Sequence, residues 1–111
     1  MDIVEKTENG ITVFTLSGRV DSEGAVDLDL ALHTAASEGK YRMILDMAEV
    51  RYINSAGLRT LADILTTNRE NGGDCLLVAM NPKIRRVFEI IGFDQFFTSY
   101  DSLNDAMASI G

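Results

Sequence analysis

The sequence has few of the residues from which disulfides and metal centres are built. It contains one cysteine and one histidine among 111 residues. A single cysteine cannot form an internal disulfide, and one histidine cannot supply a histidine-rich metal centre. Cys75 stands at the head of an apolar run, so we expect it to be a buried core residue in a reducing compartment. No metal site is predicted.

Basic residues are also scarce. The sequence has ten Lys and Arg residues and seventeen Asp and Glu residues, which gives a formal net charge of −7. Nucleic acids and anionic membranes attract clustered Lys and Arg, so neither is an expected partner. The sequence has no apolar run of membrane-spanning length and no basic signal-peptide start at its N-terminus. We therefore expect a cytoplasmic protein that does not insert into membranes.

Motifs of cofactor-dependent and hydrolytic enzymes are absent as well. The sequence has no Gly-x-Gly-x-x-Gly segment, and no glycine-rich loop precedes Lys-Ser or Lys-Thr. These absences exclude the common dinucleotide-binding and phosphate-binding loops. A Ser-His-Asp site would require His33, but His33 lies well inside a predicted helix. We expect no cofactor, no catalytic residue and no enzymatic activity.

Three carboxylates remain as candidates for acid–base or metal chemistry. Asp21, Asp46 and Glu49 could meet near the carboxyl edge of a sheet, where ligands of α/β proteins bind. The alternative is that Asp21 caps a helix and Asp46 ends a strand. We favour the alternative because caps are so common.

What the sequence does contain is a regular alternation of apolar strands and amphipathic helices. Strands are predicted at residues 3–5, 11–16, 42–46, 50–53, 74–80 and 96–98, with a loop between the third and fourth of these segments. Helices are predicted to start at Asp21 or Ser22, at Ser55, at Asn81 and at Asp101 or Ser102.

This order predicts a single α/β domain over residues 1–111. Helices separate most of the strands, so those strands should pair in parallel. The turn Glu8-Asn9-Gly10 is a strong hairpin signal, which makes the first strand antiparallel to the second. We therefore expect a mixed, mostly parallel sheet covered by about four helices.

The segment Asn54-Ser55-Ala56-Gly57 links an extended piece to the second helix. Ser55 is predicted to be the N-cap, because its hydroxyl can accept a hydrogen bond from a first-turn N–H. The helix dipole and the free N–H groups of such a junction favour a negative group. Ser55 is thus either a plain cap or, if phosphorylated, a switch that adds about two negative charges.

Three segments of the sequence resemble the signature of a known family. They are LSGRVD (16–21), ILD (44–46) and YINSAGL (52–58). Together they are similar to STAS domains and, within that superfamily, to the free-standing bacterial anti-sigma-factor antagonists. Residues 81–84, 91–93 and 101–106 also fall where the family has comparable segments, so the resemblance runs nearly end to end.

The resemblance implies a regulatory binding protein with a STAS-like fold. Such an antagonist binds an anti-sigma factor that is itself a serine kinase, and so frees the sigma factor. The kinase phosphorylates the antagonist and ends the interaction, and a serine phosphatase restores it. By this resemblance Ser55 is the phosphoacceptor. The predicted partner-binding residues around it are Asp21, Asn54, Ala56, Gly57, Leu58 and Arg59.

Two positions depart from the common Asp-Ser-Ser/Thr-Gly of the family. Ala56 leaves Ser55 as the only hydroxyl in the loop, and Asn54 is neutral where the family has a charge. The neutral Asn54 slightly favours a second hypothesis, an unphosphorylated STAS adaptor subunit of a transporter or signalling assembly. A third hypothesis is a small anion-binding α/β enzyme. Against this third hypothesis, the sequence shows no base that could activate Ser55 as a nucleophile.

Overall fold

The structure, a computed structural model, describes residues 1–110. Its elements are, in chain order, β1 (Asp2–Glu8), β2 (Ile11–Val20), α1 (Ser22–Ser37), β3 (Arg42–Ile53), α2 (Ser55–Glu70), β4 (Asp74–Val78), α3 (Pro82–Ile91), β5 (Ser99–Tyr100) and α4 (Leu103–Ile110). A 3₁₀ turn at Phe93–Gln95 lies between α3 and β5. The alternation of strands and helices predicted from the apolar pattern is confirmed.

The strands form one mixed sheet with the order β1-β2-β3-β4-β5. β1 and β2 are antiparallel, and the other neighbouring pairs are parallel. The hairpin between β1 and β2 turns at Asn9 and Gly10, both with positive φ (53° and 77°). That backbone is the one that Asn-Gly adopts readily in a tight hairpin. The predicted mixed sheet with an antiparallel first strand is confirmed.

The two faces of the sheet are covered unequally. Side chains alternate along each strand, so Phe14, Leu45 and Leu77 enter one core while Val13 and Ile44 enter another. The larger core also receives the apolar stripes of three helices, which contribute Leu28, Leu32, Leu61, Ile64, Ile84 and Phe88. The smaller core is closed by α4 through Ala106. Hence α1, α2 and α3 lie on one face and α4 on the other.

The strands next to α1 and α2 are longer than predicted. β2 continues past residue 16 to Val20, and β3 runs without a loop from Arg42 to Ile53. The two strands stay paired to Val20 and Ile53 through two register irregularities, one of them at Gly18. The prediction of a loop through Glu49 was wrong because a paired neighbour supplies hydrogen bonds to a segment that is polar on its own.

Two strands on the other side of the sheet also differ from the prediction. β4 ends at Val78 rather than at Met80, because Ala79 has a positive φ of 58° and leaves the strand. The last strand is Ser99–Tyr100 rather than residues 96–98. Phe97 instead packs edge to face on Phe88, with ring centroids 5.7 Å apart. Burial of this aromatic ring in the core takes precedence over its strand propensity.

Candidate functional site

The site lies where β2 and β3 end side by side and two helices begin. The backbone N–H of Asn54 donates to the carbonyl of Val20 at 2.9 Å and so ties the two strand ends together. α1 starts two residues after Val20, and α2 starts directly after Asn54. The first turns of these helices are therefore neighbours. Asp21 and the segment around Ser55, predicted to share a surface, both lie at this edge.

Asn54, and not Ser55, is the N-cap of α2. Its backbone is extended (φ −91°, ψ 177°), and its Oδ1 accepts a hydrogen bond from the N–H of Gly57 at 2.8 Å. The carbonyl of Asn54 accepts the first helical bond from Leu58 at 3.0 Å. The predicted capping role of Ser55 is wrong: asparagine caps as well as serine does, and here it stands one residue earlier.

Ser55 consequently occupies the first helical position with its hydroxyl unused by the cap. The residue is exposed. Within residues 1–110 its side chain makes no hydrogen bond to another group of the protein. The fold needs the backbone of Ser55, whereas its hydroxyl is available to an external group.

The head of α1 repeats the arrangement at the head of α2. The sequence Asp21-Ser22-Glu23-Gly24 has the same pattern of Asx, Ser, any residue and Gly, and Asp21 Oδ1 accepts from the N–H of Gly24 at 3.0 Å. This hydrogen bond lowers the pKa of Asp21 below its ordinary value, with smaller contributions that include the charge of Arg19. The alternative in which Asp21 caps a helix is confirmed.

The glycine that ends each of these segments packs tightly against a strand end. A Cβ at Gly57 would lie 2.5 Å from Cγ1 of Val20, and a Cβ at Gly24 would lie 2.3 Å from the carbonyl oxygen of Arg19. Real side chains do not approach so closely. Gly57, predicted to bind a partner, is buried, and its evident role is to let α2 begin directly on the sheet.

The other predicted binding residues divide between surface and core. Ala56 and Arg59 are exposed, and Leu58 is half-buried against the main core. A shallow cleft of about 380 Å³ lies between α1 and α2. It is lined by Ser22, Ala25, Val26, Asp29, Ala56, Arg59, Thr60 and Asp63. Thr60 Oγ1 donates to Asp29 Oδ1 at 3.1 Å and fixes the two helices across its base.

Two apolar residues at this surface were missed by the sequence reasoning. Val26 and Leu30 of α1 are 67% and 69% exposed. Val26 lines the cleft, and Leu30 follows one turn later on the same side of the helix. The signal was present: both lie off the stripe that continues through Leu28 and Leu32. The two side chains lie next to each other on the outward face of α1 and leave apolar surface exposed to water there.

The candidates for catalysis or metal binding do not assemble. Asp46 lies in the middle of β3 rather than at a strand end, and its carboxylate accepts from the N–H of Ala48 at 3.1 Å. In residues 1–110 no group of three or more His, Cys, Asp or Glu could hold a metal ion. His33 is half-buried and pairs with Asp29 on its own helix at 3.2 Å.

Cys75 lies in the main core, as predicted. It is fully buried, and burial raises the pKa of its thiol to about 12. The thiol is thus a packing group at neutral pH.

These features define a small α/β domain whose surface cleft is built at the heads of two crossover helices. Within residues 1–110, every helix is too short or too polar to span a bilayer. The STAS domain family model matches residues 2–106. The chain belongs to the STAS domain family.

Relatives and solved structures agree with this assignment. The chain is 34% identical over 101 residues to a candidate anti-sigma factor antagonist, BtrV, of Bordetella bronchiseptica, covering 91% of this chain and 87% of the relative. It is 26% identical over 104 residues to the anti-sigma-F factor antagonist RsfB of Mycobacterium tuberculosis, covering 92% and 83%. The crystal structure of an anti-sigma factor antagonist from Mycobacterium paratuberculosis superposes with a TM-score of 0.89 at 26% identity, covering 98% and 92%.

Proposed function

We propose that the chain is an anti-sigma factor antagonist of the bacterial cytoplasm. It binds an anti-sigma factor that is also a serine kinase, and phosphorylation of Ser55 by that kinase ends the complex. A serine phosphatase reverses the modification. The names of the relatives support the antagonist class, and the exposed, unused hydroxyl of Ser55 supports the choice of acceptor.

The hydroxyl of Ser55 is the observation that carries the proposal. A serine that capped α2 would have its oxygen held by a backbone N–H, so modifying it would disturb a hydrogen bond at the helix start. Here Asn54 is the cap: its Oδ1 accepts a hydrogen bond from the N–H of Gly57 at 2.8 Å. A phosphate on Ser55 can therefore be added without breaking a bond that the helix requires.

The docking surface that we propose combines this serine with the apolar residues of the cleft. Val26 on α1 and Ala56 on α2 are exposed and line the cleft, and Leu30, outside the cleft, extends the exposed apolar surface along α1. Removing such side chains from water on binding favours association by about 25 cal/mol per Å² of apolar area. The acceptor serine thus lies beside the surface that a partner covers.

Phosphorylation changes the charge of this surface abruptly. A phosphoserine carries about −1.5 to −2 charge at pH 7 and bulky oxygens that must keep their hydration. Asp29 and Asp63 already line the cleft. An apolar contact that must bury this added charge loses several kcal/mol, and each 1.4 kcal/mol lowers affinity tenfold. Meanwhile the N-terminus of α2 favours a negative group, so the fold itself is retained.

The test incubates the chain with a candidate partner, an anti-sigma factor of the serine-kinase type, together with Mg²⁺ and ATP. We expect mass spectrometry to find one phosphate on Ser55, absent in Ser55→Ala and retained in Ser22→Ala. Ser22 is the matched control, because it occupies the same position of an equivalent helix start and is also exposed. Phosphate on Ser22 instead would contradict the proposal.

Binding to the same kinase gives the second measurement. Ser55→Ala should bind whether or not ATP is present, while Ser55→Asp should bind at least one hundred-fold more weakly with an unchanged circular dichroism spectrum. Tight binding of the Asp variant would contradict the switch. Binding with no phosphate transferred to any serine would favour the other candidate, an unphosphorylated adaptor subunit, for which the neutral Asn54 is the supporting feature.

A further inference from the structure

Arg59 is the cation of the cleft between α1 and α2. It is exposed and lines the cleft. Other arginines are engaged elsewhere: Arg69 pairs with Asp74, and Arg19 stacks on a tyrosine ring at 4.5 Å. Within residues 1–110, Arg59 takes part in no ion pair. Its positive charge is therefore available to pair with a negative group that is added to the cleft.

The spacing along α2 places two anionic positions within reach of Arg59. Ser55 precedes it by four residues, and Asp63 follows it by four. Residues four apart on a helix are neighbours on its surface, and oppositely charged pairs at this spacing attract each other. All three residues are exposed. Arg59 therefore stands between a permanent carboxylate and the hydroxyl that the proposed function modifies.

We propose that Arg59 is the internal counter-ion of phosphorylated Ser55, and that its guanidinium then turns toward the phosphate rather than toward Asp63. This inference rests on the proposed function, because it concerns the phosphorylated form. Before phosphorylation the guanidinium has Asp63 as its only i±4 anionic neighbour. After phosphorylation the phosphate, with up to twice the charge of a carboxylate and the N–H groups of α2 beside it, is the stronger attractor.

The consequence is a rearrangement of charge in the cleft rather than a simple addition. The phosphate is partly neutralised from within the same helix, which keeps the modified domain folded. Asp63, which lines the cleft, makes no ion pair with Arg59 in the unmodified structure, and the phosphate now competes with it for the same guanidinium. A carboxylate that is not compensated then faces the partner beside the apolar residue Val26.

The experiment installs phosphoserine at position 55 during translation, by expanding the genetic code, so that no kinase is needed. ³¹P NMR then follows the second ionisation of the phosphate between pH 4 and 8. An adjacent cation favours the dianion, so we expect the phosphate pKa to rise by about 0.3 units in Arg59→Gln. Arg59→Lys keeps the positive charge, so the phosphate pKa should remain close to its value with Arg59. Asp63→Asn should lower the pKa further, because it removes a competing carboxylate.

The matched control is Arg86→Gln, which removes the same net charge from an exposed arginine of α3. It should leave the phosphate pKa unchanged. The proposal is overturned if Arg59→Gln and Arg86→Gln give the same value, or if Asp63→Asn has no effect. Because the phosphate is placed without a kinase, a kinase that ignores Ser55 would defeat the proposed function and leave this measurement interpretable.

Discussion

The stability of α2 gives a direct test of which side chain caps it. The cap bond runs from the N–H of Gly57 to Oδ1 of Asn54 at 2.8 Å. Replacing an N-cap asparagine by alanine costs about 0.5–2 kcal/mol in proteins. Gly57 is buried, so its N–H would lose its partner where water has little access, which places the cost in the upper part of that range. We expect Asn54→Ala to lower the free energy of unfolding by about 1.5 kcal/mol.

Ser55→Ala is the decisive comparison. The hydroxyl of Ser55 makes no hydrogen bond within residues 1–110, and alanine is a better helix former than serine. We therefore expect the stability to change by less than about 0.5 kcal/mol, in either direction. Asn54→Asp keeps the acceptor and adds a charge that the helix dipole favours, so it should be at least as stable as the natural chain at pH 7.

Urea denaturation followed by circular dichroism at 222 nm measures all three variants. For a domain of this length, a loss of 1.5 kcal/mol corresponds to a fall of about 6 °C in the melting temperature. If Ser55→Ala costs 1 kcal/mol or more while Asn54→Ala costs little, then the serine is the cap. The argument for an unused hydroxyl, and with it the choice of phosphoacceptor, would then be refuted.

Three further changes probe the packing and chemistry around the site. Gly57→Ala should destabilise the fold by about 1–3 kcal/mol in urea denaturation, because the new methyl group overlaps a valine of β2; an unchanged midpoint would contradict this close packing. Val26→Asp should leave the melting temperature nearly unchanged yet weaken kinase binding more than tenfold, whereas Val4→Asp, equally exposed on β1, should bind normally. Equal losses for both variants would mean that α1 is not the docking surface. Cys75 should resist iodoacetamide at pH 8 in the folded protein and react once urea unfolds it, since the pKa of its thiol is raised to about 12. Rapid modification of the native protein would show that the core opens readily.

The alternation of elements could be predicted because it depends on short-range patterns. Apolar residues at helical spacing marked α1 and α2, and Asn9-Gly10 marked the hairpin through the positive φ that both residues adopt. Each of these signals arises within a few residues of the chain. For that reason the mixed sheet and its antiparallel first strand followed from the sequence.

The ends of β2 and β3 could not be predicted in the same way. Residues 47–53 are partly polar, and alone they resemble a loop followed by a short extended piece. In the structure Glu49, Val50, Tyr52 and Ile53 pair with residues 17–20, and two register irregularities interrupt the pairing of β2 with β3. Whether a segment with weak propensity becomes a strand depends on the neighbour that accepts its hydrogen bonds, and that neighbour lies about thirty residues away in the chain.

The family, the order of the elements and the small set of side chains at the heads of α1 and α2 follow from the order of the residues alone. How those side chains are used depends on the packing of the folded chain. Asn54 and Ser55 have nearly equal intrinsic capping ability, so the choice between them depends on backbone angles, and Gly57, pressed onto Val20, holds α2 against the ends of the strands. Val26 gives a second example, because its residue type makes it apolar but does not say whether it is buried or exposed. It lies exposed in the cleft because the packing of α1 on α2 leaves it turned toward solvent.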